Sequence, residues 1–173
     1  EGASVMTFDH EHVPTEHLHQ LIAEGVNVQP GPDALVNAQD KPVMRKKLRE
    51  IGAPVPPFAA IESVEDARAF SAAGLEAHRG GYDGHGVWFP SPSELDSLVS
   101  ELLDAGTPLM AEKRVALGRE LSAMVARRPS GEVVPWPVVE SVQTDGICTE
   151  AVAPAPDLSP ELAERAQQLA VPV

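Results

Sequence analysis

A glycine-dense segment near the middle of the chain constrains the fold more than any other feature. Gly80, Gly81, Gly84 and Gly86 place four glycines in the seven positions 80–86. Glycine adopts positive φ angles readily, and it has no Cβ to keep an anion away from main-chain N–H groups. An ordinary hairpin turn needs less conformational freedom than this. The segment therefore predicts a loop that lies over phosphate groups.

The composition restricts the partners that such a loop can serve. The 173 residues are 43% hydrophobic, which is enough for one core or for two small subdomains that share a boundary. The net charge of −13 argues against a general affinity for nucleic acid or for anionic membranes. We therefore expect any bound phosphate to be met by a local cluster of basic residues.

Cysteine usage and the apolar runs indicate a cytoplasmic protein. The single cysteine, Cys148, excludes an internal disulfide and is compatible with a reducing cytosol. We interpret Cys148 as a small packing residue, because no His-centred motif accompanies it. No apolar run approaches the roughly 20 residues of a membrane span, so we expect no membrane partner.

Hydrophobic periodicity and turn residues predict an α+β order of elements. The predicted strands cover 5–8, 26–28, 54–61, 109–115, 120–126 and 133–142, the last two joined by a turn at 128–131. The predicted helices begin after Pro14, at the cap Asp33, at Asp40, at the cap Ser63 and at Ser93, and a last helix lies around 162–169.

The segment before the glycine loop is too short for this order. An apolar strand should precede the loop, yet only Ala73 to Glu76 separates it from the helix that Ser63 opens. No strand is expected to fit in that space. We predict residues omitted between Ala72 and Ala77, rather than a true deletion, because the loop motif beyond is well preserved and needs its strand.

Five motifs carry a resemblance to a known family. They are Thr7 to Pro14, Ala38 to Lys41, Arg79 to Gly86, Arg119 to Ser122 and Asp145 to Ile147. Together with the order of elements, they resemble the 5-(carboxyamino)imidazole ribonucleotide synthases, which are ATP-grasp ligases of purine biosynthesis. The similarity covers nearly all of this chain but only the middle of the family's length.

The resemblance implies an ATP-grasp fold, α+β, with a small lid subdomain and part of the larger antiparallel-sheet subdomain. Residues 1–37 would close an N-terminal domain and supply a connecting helix. Residues 38–110 would form the lid subdomain with the glycine loop, and residues 111–173 would begin the large subdomain. Because the magnesium-binding strands of the family come later, we expect an internal piece that is inactive on its own.

The resemblance also implies a reaction. ATP phosphorylates bicarbonate, and the product carboxylates the amine of 5-aminoimidazole ribonucleotide to give N5-carboxyaminoimidazole ribonucleotide, ADP and phosphate. The implied cofactors are ATP and Mg²⁺, with the magnesium ligands outside this chain. The implied assembly is a homodimer without nucleic acid. No catalytic residue is assigned.

By resemblance, ATP-binding residues lie at the start of the basic helix, in the glycine loop, at a hinge and on two later strands. They are Lys41, Gly81, Tyr82, Asp83, Gly84, His85, Gly86, Glu112, Lys113, Arg114, Val115, Glu120 and Gln143. Lys41 would reach the phosphates, the hinge from Glu112 to Val115 would receive adenine and ribose, and Glu120 would be a second ribose-side acid. Glu11 and Tyr82 would contact the ribonucleotide substrate.

Two expectations concern how these residues are arranged. Lys41 and Glu112 should face one cleft, and the segment 82–86 should be mobile until nucleotide binds. Without the motif order, Lys41 would be read as a solvated helix residue, and Glu112 and Glu120 as plain strand-end carboxylates.

Three positions depart from the family pattern. His85 stands where the family usually has Lys or Arg, and Gln143 stands where many relatives have His. Glu76 replaces a lysine that contacts phosphates. A carboxylate facing phosphate is repulsive by a few kcal/mol at the effective dielectric of a protein surface.

Three alternatives stay open. The first is a metal site built from the histidine-rich N-terminal segment, with candidate ligands His10, Glu11, His12, Glu16, His17 and His19. The second is a non-catalytic fragment that binds nucleotide. The third is another ATP-grasp carboxylate-amine ligase, such as a formate-dependent transformylase, or a biotin carboxylase.

Overall fold

The computed structural model describes residues 2–70, 73–81 and 85–173. Within these ranges the helices are α1 (Thr15–Ala23), α2 (Pro32–Gln39), α3 (Lys41–Glu50), α4 (Val64–Ala69), α5 (Leu95–Asp104) and α6 (Pro160–Ala170). The strands are β1 (Phe58–Ile61), β2 (Ala73–Ala77), β3 (Val87–Trp88), β4 (Leu109–Lys113), β5 (Leu121–Ser122), β6 (Val125–Arg127), β7 (Val133–Pro135), β8 (Val139–Thr144) and β9 (Ile147–Val152).

A four-stranded antiparallel sheet organises the middle of the chain. Its strand order is β1-β4-β2-β3, so the late strand β4 lies between two earlier ones. Along β4, Leu109 and Ala111 are buried in the same core as Leu75 of β2. Ile61 of β1, Val99 of α5 and Ala67 of α4 complete this core. One face of the sheet is therefore apolar and covered by two helices.

The other face of the sheet meets a basic helix. Lys41, Arg45 and Arg49 recur every four residues along α3 and so form one stripe. Their contacts on the sheet are, in the same order, Glu76, Glu112 and the ring of Phe58. Because successive strand residues alternate between faces, these three lie opposite the apolar core.

Local capping chemistry sets two of the helix starts as the sequence predicts. The Asp40 carboxylate accepts a hydrogen bond from the Val43 N–H at 3.2 Å and caps α3. The Ser63 hydroxyl accepts from the Asp66 N–H at 3.2 Å and caps α4. Asp33 does not cap α2, because that helix begins at Pro32 with Gly31 as its N-cap.

The predicted strands are longer than those observed. The segments 5–8 and 26–28 share only a single parallel bridge between Met6 and Val28. The segment 120–126 divides into β5 and β6, and 133–142 divides into β7 and β8. Prolines account for the second division, since Pro135 and Pro137 lack the N–H that a ladder needs.

The segment before the glycine loop is a strand, so the expectation that none fits there is wrong. Ala73–Ala77 pairs residue for residue with β4, from Ala73 opposite Lys113 to Ala77 opposite Leu109. Five residues suffice because the strand ends directly in the loop. No interruption occurs from Ala73 to Ala77, and the prediction of omitted residues fails there. Residues 71 and 72 lie outside the described ranges.

The position of Cys148 and the character of the helices bear on two further expectations. Cys148 is exposed on β9, so its interpretation as a packing residue is wrong. Among the described residues, no helix is long and apolar enough to cross a membrane.

The core contact of β2 gives the first prediction. Leu75 is 2% exposed, and its replacement in Leu75→Ala leaves a cavity between the sheet and α5. We expect a loss of about 2–5 kcal/mol in the free energy of unfolding, measured by urea denaturation. Leu117→Ala is the matched control, because Leu117 is 64% exposed and should change stability by about 0.5 kcal/mol or less. Equal effects at the two leucines would contradict the placement of β2.

Candidate functional site

A cleft with a volume of about 1110 Å³ opens where the four-stranded sheet ends and the chain continues toward β5. The chain from 112 to 117 forms one wall, and Gly74 and Glu76 of β2 lie beside it. Phe89 follows β3, Glu120 directly precedes β5, and Gly146 lies in the turn between β8 and β9. The full lining is Pro56, Gly74, Glu76, Phe89, Glu112, Lys113, Arg114, Val115, Ala116, Leu117, Glu120 and Gly146.

The carboxylate of Glu112 is held by Arg45 through both of its oxygens. Arg45 Nη2 donates to Oε1 at 3.2 Å, and Arg45 Nε donates to Oε2. The side chains of Arg45 and Glu112 are 20% and 16% exposed. The hydrogen bond to Glu112 raises the pKa of Arg45, burial opposes this, and the charges of Glu112 and Glu76 add to the rise. Glu112 therefore fixes the end of β4 against α3.

Glu120 differs from Glu112 in the surroundings of its carboxylate. Among the described residues no side chain pairs with the Glu120 carboxylate, although its backbone carbonyl accepts from the Ser141 N–H at 3.1 Å. Its side chain is partly exposed and lines the cleft. A carboxylate in this position can accept hydrogen bonds from the hydroxyl groups of a ligand.

A second cleft of about 330 Å³ lies at the base of the glycine loop. It is lined by Lys41, Arg79, Gly80 and Gly81, together with the segments 11–16 and 38–39. The Gln39 amide donates to the carbonyls of Glu11 and Val13 at 2.7 Å each, and so fixes the wall that carries Glu11.

The Lys41 ammonium is fully engaged at the base of the loop. It donates to the carbonyls of Ala77 at 3.0 Å and Gly80 at 2.9 Å, and it lies 3.7 Å from the Glu76 carboxylate. Its backbone N–H donates to the His78 carbonyl at 3.0 Å. Lys41 therefore ties the start of α3 to the start of the loop.

Two glycines are required by this packing. Gly81 has φ of +95°, and a Cβ there would lie 2.8 Å from Lys41 Nζ and 3.3 Å from the His85 carbonyl. Gly86 has φ of +68°, and a Cβ there would lie 3.2 Å from Gly81 Cα. The two ends of the loop thus meet closely, and the Ala77 N–H donates to the Gly86 carbonyl at 2.9 Å.

The structure distributes the predicted ATP-binding residues over both clefts. The larger cleft collects Glu112, Lys113, Arg114, Val115 and Glu120. The smaller cleft collects Lys41 and Gly81, and also Glu11, the predicted substrate residue.

The remaining predicted residues lie elsewhere. Gln143 is exposed on β8 and does not line either of these clefts. Gly86 lies at the far end of the loop beside Gly81. Tyr82, Asp83 and Gly84 lie outside the described residues, and so does most of the predicted mobile segment 82–86.

Sequence reasoning missed the role of Arg45 and the exact place of Glu76. The signal for both was the spacing of Lys41, Arg45 and Arg49, which puts three cations on one helix face. A solvated basic face is the usual interpretation of such spacing, and only the strand register shows that carboxylates and an aromatic ring oppose it.

The histidine-rich segment does not assemble a metal site. His10 and His12 lie in a turn rather than a strand, with ring centroids 5.7 Å apart, and His10 Nδ1 accepts from the His12 N–H at 3.1 Å. In the described ranges no group of three or more His, Cys, Asp or Glu side chains could hold a metal ion. The metal alternative therefore has no structural support there.

Comparison with known proteins identifies the class of fold. The ATP-grasp domain family matches residues 46–173, and the chain belongs to that family. The ATP-grasp fold predicted from the motifs is thereby confirmed.

Individual relatives show which group of ATP-grasp proteins the chain resembles. The N5-carboxyaminoimidazole ribonucleotide synthase of Corynebacterium ammoniagenes is 59% identical over 98% of this chain and 42% of its own length. The synthase of Aspergillus clavatus complexed with ATP has a TM-score of 0.85 at 29% identity, over 96% of this chain and 44% of that one. The same fungal enzyme in complex with ADP and 5-aminoimidazole ribonucleotide has a TM-score of 0.84 at 27% identity, over 98% and 45%. The predicted resemblance to this group is confirmed, and the chain spans 42% of the bacterial relative.

The Arg45–Glu112 pair gives the second prediction. Arg45→Ala leaves a partly buried carboxylate without its partner, and we expect a loss of about 1–3 kcal/mol in the free energy of unfolding. Arg68→Ala is the matched control, because Arg68 also binds a carboxylate, Asp96, through two nitrogens but at an exposed position. Urea denaturation of both variants should show the larger loss at Arg45. A larger loss at Arg68 would contradict the anchoring role of Arg45.

Proposed function

We propose that the larger cleft binds the nucleoside part of ATP and that the smaller cleft binds 5-aminoimidazole ribonucleotide. The observation that carries this proposal is the convergence of the 112–117 segment and the Glu120 carboxylate on one cleft, next to the base of the glycine loop. The relatives with solved complexes bind ATP, or ADP with 5-aminoimidazole ribonucleotide. Confinement of a charged ligand in such a cleft strengthens its electrostatic contacts.

The roles of the residues follow from their contacts. The backbone of 113–115 would receive adenine, because Glu112 is already bound by Arg45 and cannot turn its carboxylate to the ligand. Glu120, whose carboxylate has no partner in the described part of the chain, would accept hydrogen bonds from the ribose hydroxyls. Gly80 and Gly81 would bind the phosphates on the side of the smaller cleft, because Lys41 fixes the base of the loop there.

The proposed reaction of the whole protein is the ATP-dependent carboxylation of 5-aminoimidazole ribonucleotide with bicarbonate, forming a C–N bond in purine biosynthesis. ATP transfers its γ-phosphoryl group to bicarbonate, and the amine of the ribonucleotide then takes the carboxyl group while phosphate leaves. In this chain, residues bind and orient the two nucleotides and exclude water from the labile intermediate. The proposal also includes the division of the chain after residue 37, where the lid subdomain would begin, and after residue 110, where the large subdomain would begin.

Magnesium, a homodimer and a cytoplasmic location belong to the proposal for the whole protein. Among the residues that the structure describes, no group of three or more His, Cys, Asp or Glu side chains could hold a metal ion. Magnesium ligands are expected outside this chain, as in the resemblance that predicts them. A cytoplasmic homodimer is the assembly proposed for the whole protein.

Substrate dependence gives the third prediction. The whole protein, once purified, should release ADP from ATP only when bicarbonate and 5-aminoimidazole ribonucleotide are both present, at a rate at least about tenfold above either alone, because the acceptor completes the site. A coupled assay of ADP release measures this. Formate or biotin in place of these substrates is the control. Faster release with formate or biotin would favour another ATP-grasp enzyme, and ATP binding without turnover would favour the non-catalytic alternative.

The ribose contact gives the fourth prediction. Glu120→Ala should weaken ATP binding by about tenfold or more, because a hydrogen bond to a charged group is lost. It should leave the binding of 2′,3′-dideoxy-ATP unchanged, since that analogue lacks the hydroxyls. Calorimetric titration of both nucleotides measures the difference, with Glu132→Ala on the exposed β6–β7 hairpin as the control. Equal losses for both nucleotides would remove Glu120 from the ribose site.

A further inference from the structure

The two clefts meet at one ion pair. Lys41 lines the smaller cleft, Glu76 lines the larger one, and Lys41 Nζ lies 3.7 Å from Glu76 Oε2. Each of the two side chains is only 18% exposed. An ammonium group has three N–H donors, and two are directed at the carbonyls of Ala77 and Gly80. The third faces the carboxylate, so Glu76 occupies the last free position of this cation.

The strand register keeps Glu76 in this place. Leu75 is buried in the core on one face of β2, so the next residue faces α3 on the other. Glu76 is paired through its backbone with Met110 of β4 and Val87 of β3, so both sides of the strand are held. The pairing of β2 in the sheet therefore determines the contact between Glu76 and Lys41.

The charge of Glu76 also reaches Arg45. The hydrogen bond from Arg45 to Glu112 is the main cause of the raised Arg45 pKa, and the charge of Glu76 acts in the same direction. Lys41 and Arg45 are thus both neutralised by carboxylates of the chain itself. A phosphate that approaches them meets two cations already paired.

We propose that Glu76 makes the larger cleft discriminate against negative charge on its ligand. This inference rests on the proposed nucleotide site. A phosphate that reaches Lys41 must displace the carboxylate of Glu76 or lie beside it, and a like charge within a few ångströms is unfavourable. Each phosphate added to adenosine therefore gains less binding free energy in this chain than it would with an uncharged residue at position 76.

The test compares ligands that share adenosine and differ in charge. Adenosine and ADP are titrated calorimetrically into the whole protein and into its Glu76→Gln variant, in buffer without divalent cations. In the unaltered chain, ADP should bind no more than about tenfold tighter than adenosine. In Glu76→Gln this ratio should rise about tenfold, because the change removes a charge that repels the phosphates of ADP but not neutral adenosine.

Two controls separate the charge of Glu76 from its shape and from net charge. Glu101→Gln removes the same charge from the exposed face of α5 and should leave the ratio unchanged. Glu76→Asp keeps the charge on a shorter side chain and should keep the low ratio. Circular dichroism of each variant checks that the sheet is retained.

The possible results lead to different conclusions. An equal ratio in the unaltered chain and in Glu76→Gln overturns the role of Glu76 but leaves the nucleotide site standing. Failure of both proteins to bind adenosine and ADP overturns the nucleotide site and this inference with it. The unaltered chain decides without any variant if ADP binds more than about a hundredfold tighter than adenosine, because that ratio contradicts discrimination against charge.

Discussion

The contact between α3 and the sheet is the constraint on which the site depends. Arg45 binds both carboxylate oxygens of Glu112, the penultimate residue of β4, and so fixes the point where that strand passes into the 113–117 segment. Because β4 is central in the sheet, holding its end also holds β1 and β2. The larger cleft therefore has one rigid wall, although most of the residues that line that wall are exposed.

The two faces of the four-stranded sheet have different roles. The face toward α4 and α5 is built from Leu75, Leu109 and Ala111, and burial of such side chains supplies the stabilisation. The face toward α3 carries carboxylates and a basic stripe, whose partly buried pairs add little net stability but are costly to separate. This second face specifies geometry. It places charged groups beside the clefts. An apolar interface at the same position would present no polar group to a ligand.

The sequence predicted the features that depend on local chemistry. Asp40 and Ser63 cap their helices because a short polar side chain meets its own N–H groups a turn later, and this needs no distant partner. The motif order likewise predicted the ATP-grasp fold. Strand limits failed where tertiary pairing decides them: β2 contains Gly74 and Glu76, which have low strand propensity, and forms only because β4 and β3 flank it.

The site was only half predictable for the same reason. Composition and motif order indicate which residues are chemically able to meet a nucleotide, but the state of each side chain depends on partners that are distant in the sequence. Glu112 and Glu120 are both carboxylates for which the resemblance implies a nucleotide contact, yet one is bound by Arg45 and the other has no partner among the described residues. An acidic residue that is already paired stabilises the fold, and an unpaired one is available to a ligand. Strand register makes that distinction, and seven of the thirteen ATP-binding candidates line two clefts that meet at the Lys41–Glu76 ion pair.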